Sequence, residues 1–321
     1  MIPRALKYSD IILVPRYSSA HSRSDLDTTS WLADLRFKLP VMPANMRAVI
    51  DTDIARWMSE NQYMYAMHRF DVDIIKFVQK ANEENWRCVS ISVGVKDEDK
   101  NIITKLASLK LKVNYITIDI AHGHSGLMCS MIRHVKRCFP GPSAAGPGTF
   151  IIAGNVATYQ GVSDLVEWGA DIVKVGIGQG NVCTTKDKTG FTVPMYTCIE
   201  ECATLGAPII ADGGIRCNGD IAKALKAGAT MVMMGSQFSR CINSPAETVN
   251  RNGAVYKRYF GSASAYNKRT KRHIEGIMKE VPCNQMTYEE KLQEIEDDLK
   301  LYFNPNVSIF KLLFSVNIDI C

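Results

Sequence analysis

The sequence predicts the α/β class, as a single-domain (β/α)8 or TIM barrel, on three observations. Eight short apolar runs rich in Val and Ile recur between residues 40 and 236. Stretches with apolar residues at helical spacing lie between them, and a length of 321 residues suits one closed barrel. An open parallel sheet usually stops at fewer strands, so eight alternations at about 25-residue spacing favour closure.

The expected strands are 40–45, 64–69, 88–94, 115–121, 150–156, 171–178, 208–214 and 230–236, and the expected helices are 52–60, 72–84, 96–109, 127–138, 159–168, 196–205 and 219–227. Thr52 suits a cap for a helix starting at Asp53, and Asn218 a cap for 219–227. WGAD, LGAP and AGAT each place Gly where a helix must stop before the next strand. Residues 1–39 are expected to wrap the N-terminal side, and PGPSAAGPG at 140–148 to form a surface loop. After the eighth strand, 240–285 is a long flap-like excursion with a short hairpin around 255–260. The stretch 287–300 reads as a closing helix with Thr287 and Glu290 in a capping box. The barrel thus takes 1–300, and 301–321 is an atypical tail.

Composition narrows the function. There are 38 Lys and Arg against 33 Asp and Glu, a formal +5 with the signs mixed along the chain. That gives a mild attraction for phosphorylated small molecules and no case for nucleic acid. The ten cysteines are scattered with no C-x-x-C pair, which fits a reduced, cytoplasmic chain. The opening MIPRALKYSD has no apolar signal core, and no charge-free run approaches the roughly 20 residues that span a bilayer.

In such a barrel the working residues stand at the C-terminal strand ends. VGIGQGNVCTT follows the sixth strand: Gly176, Gly178 and Gly180 free the backbone to present carbonyls or amides inward, and Cys183 stands beyond the strand tip, where a thiolate is a good nucleophile. The other nine cysteines read as structural, most of them buried as small hydrophobes. ADGGIR after the seventh strand offers Asp212 to a ribose diol, and amides at Gly213 and Gly214, with those at Gly235 and Ser236 after the eighth, to a phosphate. Asp119, His122 and His124 fall within six positions. They admit a zinc reading, but contacts to a cofactor explain them as well. His68 and Arg69 end the second strand, where a phosphate contact and a structural salt bridge are both open for Arg69.

These motifs carry a resemblance. YSDIILVPR, PANM, ISVGVKDE, YITIDIAHGHS, IIAGNVAT, VKVGIGQGNVCTTK, IIADGGIR, GDIAKALKAGATMVMMGS and KRYFGSAS are together similar to the IMP dehydrogenase and GMP reductase family, over residues 6 to about 300. The resemblance implies that Cys183 attacks C2 of a purine nucleotide, with Thr185 and Glu275 handling the proton of an amino leaving group. It implies a substrate site of Asp212, Gly213, Gly214, Gly235, Ser236, Gly261, Ser262, Ala263 and Ser264. It places Asp119, Ile120, Ala121, Ile177, Gly178 and Arg69 at the nicotinamide cofactor, and carbonyls of Gly178, Gly180 and Cys183 around K+. The family's members form homotetramers.

Within the family, two chemistries share the covalent adduct: reductive deamination of GMP to IMP and ammonia with NADPH, and oxidation of IMP to XMP with NAD. Dehydrogenases usually carry a tandem domain after the second strand, whereas only about 20 residues separate His68 from the third strand here. They also need a mobile flap with Arg and Tyr to activate water, and the run from Gly261 to Glu275 is short. Both features favour the reductase; a purine-nucleotide-binding homologue without turnover is the third possibility. Gln179, Asn181, Ile277 and Asn284–Gln285 depart from the family's usual residues, and the chain after Lys300 does not resemble the family.

Overall fold

The computed structural model describes residues 5–14, 22, 26–140 and 148–302. The 301–321 tail beyond Tyr302 and almost all of the 140–148 loop lie outside the described residues. At the N-terminal end, strands β1 (Ser30–Leu32) and β2 (Leu35–Phe37) make an antiparallel hairpin. It carries Leu32 and Phe37, both fully buried, against Tyr115, whose hydroxyl donates to the Leu32 carbonyl. Residues ahead of the barrel thus plug its floor with a hairpin that the sequence pattern did not show.

The barrel strands are β3 (Val41–Pro43), β4 (Ser90–Val93), β5 (Tyr115–Asp119), β6 (Phe150–Val156), β7 (Ile172–Val175), β8 (Ile209–Asp212) and β9 (Met231–Met234), all parallel and ordered β3-β9-β8-β7-β6-β5-β4. Every residue of β4, β7 and β9 is buried. One face fills the barrel and the other meets the helices, which is why these strands read as continuous apolar runs. The eighth place, expected at 64–69, is held by an irregular run joined to β4 through one parallel bridge, Met67 to Ile91. The reason is local. The Tyr65 hydroxyl donates to the Cys88 carbonyl at 2.8 Å and accepts from Ser90 N at 3.4 Å, taking the two groups that a continued ladder would offer to the backbone of residue 65.

Helices α1 (Thr52–Glu60), α2 (Ile74–Glu83), α3 (Asp97–Ser108), α4 (Gly126–Cys138) and α5 (Tyr159–Trp168) follow their strands as expected, and the short α6 (Thr185–Thr189) precedes α7 (Met195–Ala203) and α8 (Asn218–Lys226). In α2, Ile74, Phe77, Val78 and Ala81 form the buried stripe. Two caps differ from expectation. Asp51, not Thr52, caps α1, its carboxylate accepting from Ile54 N at 2.9 Å; Asp also suits the positive end of the helix dipole. Asn218 lies inside α8, and its side-chain amide is drawn to Glu294 and Asp298 at 3.0 and 2.7 Å. The three glycines expected to stop helices do so, with φ of +113° at Gly169, +79° at Gly206 and +111° at Gly228.

After β9 come the one-turn α9 (Ser236–Ser239) and an antiparallel sheet of β10 (Thr248–Arg251), β11 (Ala254–Phe260) and β12 (Met278–Pro282), with α10 (Ala265–Lys268) between the last two. The expected hairpin is therefore one side of a three-stranded sheet. Buried Lys257 anchors it by donating to the carbonyls of Ile242, Ser244 and Ala246 at 2.9 to 3.2 Å. The closing helix α11 (Tyr288–Tyr302) starts with the expected capping box: Thr287 N donates to Glu290 at 2.7 Å and Glu290 N to Thr287 at 3.2 Å.

Candidate functional site

Strand β7 ends at Val175, and the chain turns at once. Gly176 adopts φ +131°, and a Cβ there would stand 2.3 Å from the Asp212 carbonyl, so only glycine permits β7 and β8 to stay this close. The loop then closes on itself, Cys183 N donating to the Gly180 carbonyl at 3.0 Å, and leaves Cys183 half-buried just ahead of α6.

The excursion meets this loop edge to edge. Thr184 N donates to the Glu275 carbonyl, Ile277 N to that of Val182, Glu275 N to that of Ala263 and Gly261 N to that of Ile277, at 2.9 to 3.1 Å. Gly276 bridges Cys183 on one side and Ser264 on the other. Segments 182–184, 261–264 and 275–277 thus form one stitched patch, which brings Gly261, Ser262, Ala263 and Ser264 beside the cysteine. Across it the Cys183 thiol donates to Thr185 Oγ1 at 3.3 Å, and the Thr185 hydroxyl donates to Glu275 Oε2 at 2.8 Å. Both bonds run the same way, from sulfur to carboxylate, so the line is arranged to draw a proton off the thiol and to hold it near the same place.

Inside the barrel mouth stands a group that the sequence reading did not single out. Lys174 on β7 is 2% exposed, with Nζ 2.7 Å from Asp119 Oδ1 on β5 and 2.6 Å from Asp212 Oδ2 on β8. Asn45 donates to Asp119 Oδ2 at 3.1 Å, and Asn155 donates to Asp212 Oδ2 at 2.9 Å. Burial works to raise the Asp119 pKa, but the Lys174 ammonium, Arg69 and Asn45 outweigh it and hold the carboxyl below its usual value. Burial likewise opposes charge on Lys174, and the two carboxylates overcome it. The signal was a lone lysine inside the apolar run DIVKVG.

The other expected residues have the following surroundings. Arg69 stacks over Phe70 and donates to the Asp119 carbonyl at 3.5 Å. Ile120 N donates to the Gly154 carbonyl at 3.0 Å and Ala121 is exposed. The Ile177 carbonyl accepts from Thr192 at 2.7 Å, next to Gly178. Gly213 packs on Gln179 and Gly180, and Gly214 on Tyr8. Ser236 opens α9, and Gly235 lies so close to Tyr259 that a Cβ would stand 2.2 Å from its hydroxyl. Tyr259 was not foreseen; burial, Asp212 and Cys183 together raise its pKa. His68 is buried and its pKa is lowered to about 4, chiefly by burial and then by Arg47.

The zinc possibility fares differently, because its three residues have other partners: Asp119 is taken by Lys174, His124 pairs with Asp164 at 2.6 Å, and His122 is exposed on its loop. Among the described residues no group of three or more His, Cys, Asp or Glu is placed to hold a metal, and no helix is long and apolar enough to cross a membrane. A cavity of about 430 Å³ beside Trp57, Tyr63, Glu289 and Glu296 lies at the opposite end of the barrel and contains none of the groups above.

A parallel barrel that carries, beyond one strand tip, a thiol and a hydroxyl aligned with a carboxylate from the excursion has the build of a (β/α)8-barrel enzyme. Comparison with known proteins is specific: residues 5–289 match the IMP dehydrogenase / GMP reductase domain, and the chain belongs to that family of oxidoreductases. It is 45% identical over 298 residues to a GMP reductase of Leptothrix cholodnii, covering 91% of this chain and 88% of the relative. It is 46% identical over 299 residues to one of Mesoplasma florum, covering 92% and 91%. A GMP reductase of Bacillus anthracis is 46% identical over 297 residues, covering 91% and 88%.

Proposed function

We propose that this chain reduces GMP to IMP and ammonia with NADPH, through a covalent bond between Cys183 Sγ and purine C2. The observation that carries the reading is the one-way line from Cys183 through Thr185 to Glu275; the relatives named above support the choice of substrate.

The chemistry follows from that line. Glu275 takes the thiol proton through the Thr185 hydroxyl, and the thiolate adds to C2. The C2–N bond then breaks as the amino group receives the proton back through Thr185 and leaves as ammonia, since an amide ion is too basic to depart unprotonated. Cys183 remains bound to C2 as a thioimidate. NADPH, when bound, supplies the hydride to C2; breaking the C–S bond then releases IMP and returns the thiolate. Asp212 receives the ribose hydroxyls on Oδ1, which has no partner among the described residues. Gly213, Gly214, Gly235 and Ser236 surround the phosphate, and Gly261, Ser262, Ala263 and Ser264 line the same substrate. Asp119, Ile120, Ala121, Ile177, Gly178 and Arg69 receive the cofactor. The carbonyls of Gly178, Gly180 and Cys183, hard oxygen donors in one turn, suit K+; they hold the cysteine loop in shape. The active assembly is a homotetramer.

The test is absorbance at 340 nm with GMP and NADPH in potassium buffer, beside IMP with NAD. A GMP-dependent fall that Cys183→Ala lacks supports the reading. A rise with IMP and NAD replaces it with the dehydrogenase, and nucleotide binding without either change replaces it with a non-catalytic binder.

A further inference from the structure

Lys174 is the most deeply buried charge of the barrel mouth, and one ammonium serves two carboxylates that come from strands on either side of it. Resting on the functional reading above, Asp212 faces the nucleotide and Asp119 the cofactor. We infer that Lys174 is a positioning residue that holds both carboxylates aimed and balances their charge, so that the substrate and cofactor sites depend on one shared counter-charge.

Among the described residues no other cation forms an ion pair with either carboxylate. On the Asp119 side stand the Asn45 amide at 3.1 Å and Arg69, which donates to that residue's carbonyl and lends its charge to Asp119 without bonding the carboxylate. On the Asp212 side stand the Asn155 amide at 2.9 Å and the hydroxyls of Tyr259 and Tyr8, which carry no positive charge. Two carboxylates facing one another across a water-poor barrel without a cation repel, and one of them retains its proton to higher pH. A protonated carboxyl is a poorer acceptor for ribose hydroxyls, and the loss is felt at whichever site holds it. The two binding events are therefore linked through Lys174, and linkage of this kind acts equally in both directions.

The experiment is calorimetric titration of GMP and, separately, of NADP+ into the wild type, Lys174→Met and Lys174→Arg, from about pH 6 to about pH 8. The expected result is a Kd higher by roughly tenfold for both ligands in Lys174→Met, with affinity that falls further as the pH is lowered. The wild type follows only the ionisation of the ligands' own phosphates over this window, because Lys174 stays paired with both carboxylates. Lys174→Arg, which keeps the charge, recovers most of the affinity for both. If the Met variant does not fold, Lys174→Gln, which keeps hydrogen-bond donors without charge, is read in the same way. Weakening of one ligand alone, or equal weakening in the Met and Arg variants with no pH dependence, overturns the inference while leaving the function intact. A wild type that binds no GMP removes the functional reading and the inference with it.

Discussion

The barrel and the excursion after β9 are built by different means. Barrel strands such as β4, β7 and β9 are buried along their whole length, and their stability comes from apolar area withdrawn from water on both faces. The excursion is antiparallel and half-exposed. Beyond its own strand ladders, the backbone stitches to the cysteine loop and the Lys257 anchor, it is held by ion pairs at the surface: Arg251 to Glu280, Arg258 to Glu247, and Arg269 to Asp71, which also holds Arg47. Such exposed pairs contribute little each, so the excursion is the more easily displaced of the two regions. Yet the line from thiol to carboxylate spans both, since Cys183 and Thr185 follow a barrel strand and Glu275 comes from the excursion. The rigid part positions the sulfur; in the proposed mechanism the softer part completes the proton path.

That contrast can be broken at several points. The largest effect is expected from Glu275→Gln, which removes the proton acceptor at the excursion end: kcat falls by roughly 10² to 10⁴, with little change in melting temperature. Thr185→Val, similar in shape but without the hydroxyl, gives a loss of the same order from the barrel side. If the two act as one path, Thr185→Val combined with Glu275→Gln costs hardly more than either alone in steady-state kinetics. Next comes Gly276→Ala. A Cβ there would stand 3.1 Å from Ser264 N and 3.2 Å from the Val182 carbonyl, prising the excursion from the cysteine loop and lowering kcat roughly ten- to a hundredfold by misplacing Glu275. Global unfolding in urea should move far less.

Two smaller effects sharpen the comparison from the barrel side. His68 stays neutral in the folded chain with its pKa lowered to about 4, whereas the unfolded chain protonates it near 6.5. The unfolded state therefore binds the extra proton first. Stability is lost as pH falls through that window, by up to about 3 kcal/mol, and is retained above it. His68→Gln should flatten the fall in melting temperature between those values. Asp51→Ala removes the cap of α1 and should cost about 1 kcal/mol in chemical denaturation while leaving kcat unchanged.

The same division explains what could be read from the sequence. Helix α1 and strand β6 coincide with their expected ranges, because periodicity in a barrel reports burial directly. Cys183 was legible from its loop, Thr185 and Glu275 only from the family resemblance, and the structure aligns the three. The irregular second strand was not legible, because a Tyr65 side chain replacing backbone pairing leaves the apolar pattern unchanged. The β1–β2 hairpin and strands β10 and β12 were missed because their runs are short and, in β10 and β12, mostly exposed. Lys174 carried a signal, a charge in an apolar strand, whose partners lie 55 and 38 residues away in sequence and meet it only once the barrel closes.

The most direct measurement is intact and peptide mass analysis of protein quenched in acid during turnover with GMP and NADPH. The account predicts a nucleotide that has lost the elements of ammonia, attached to the peptide bearing Cys183 and absent from Cys183→Ala. Full turnover in a Cys183→Ala variant, or an adduct on any other cysteine, would contradict it.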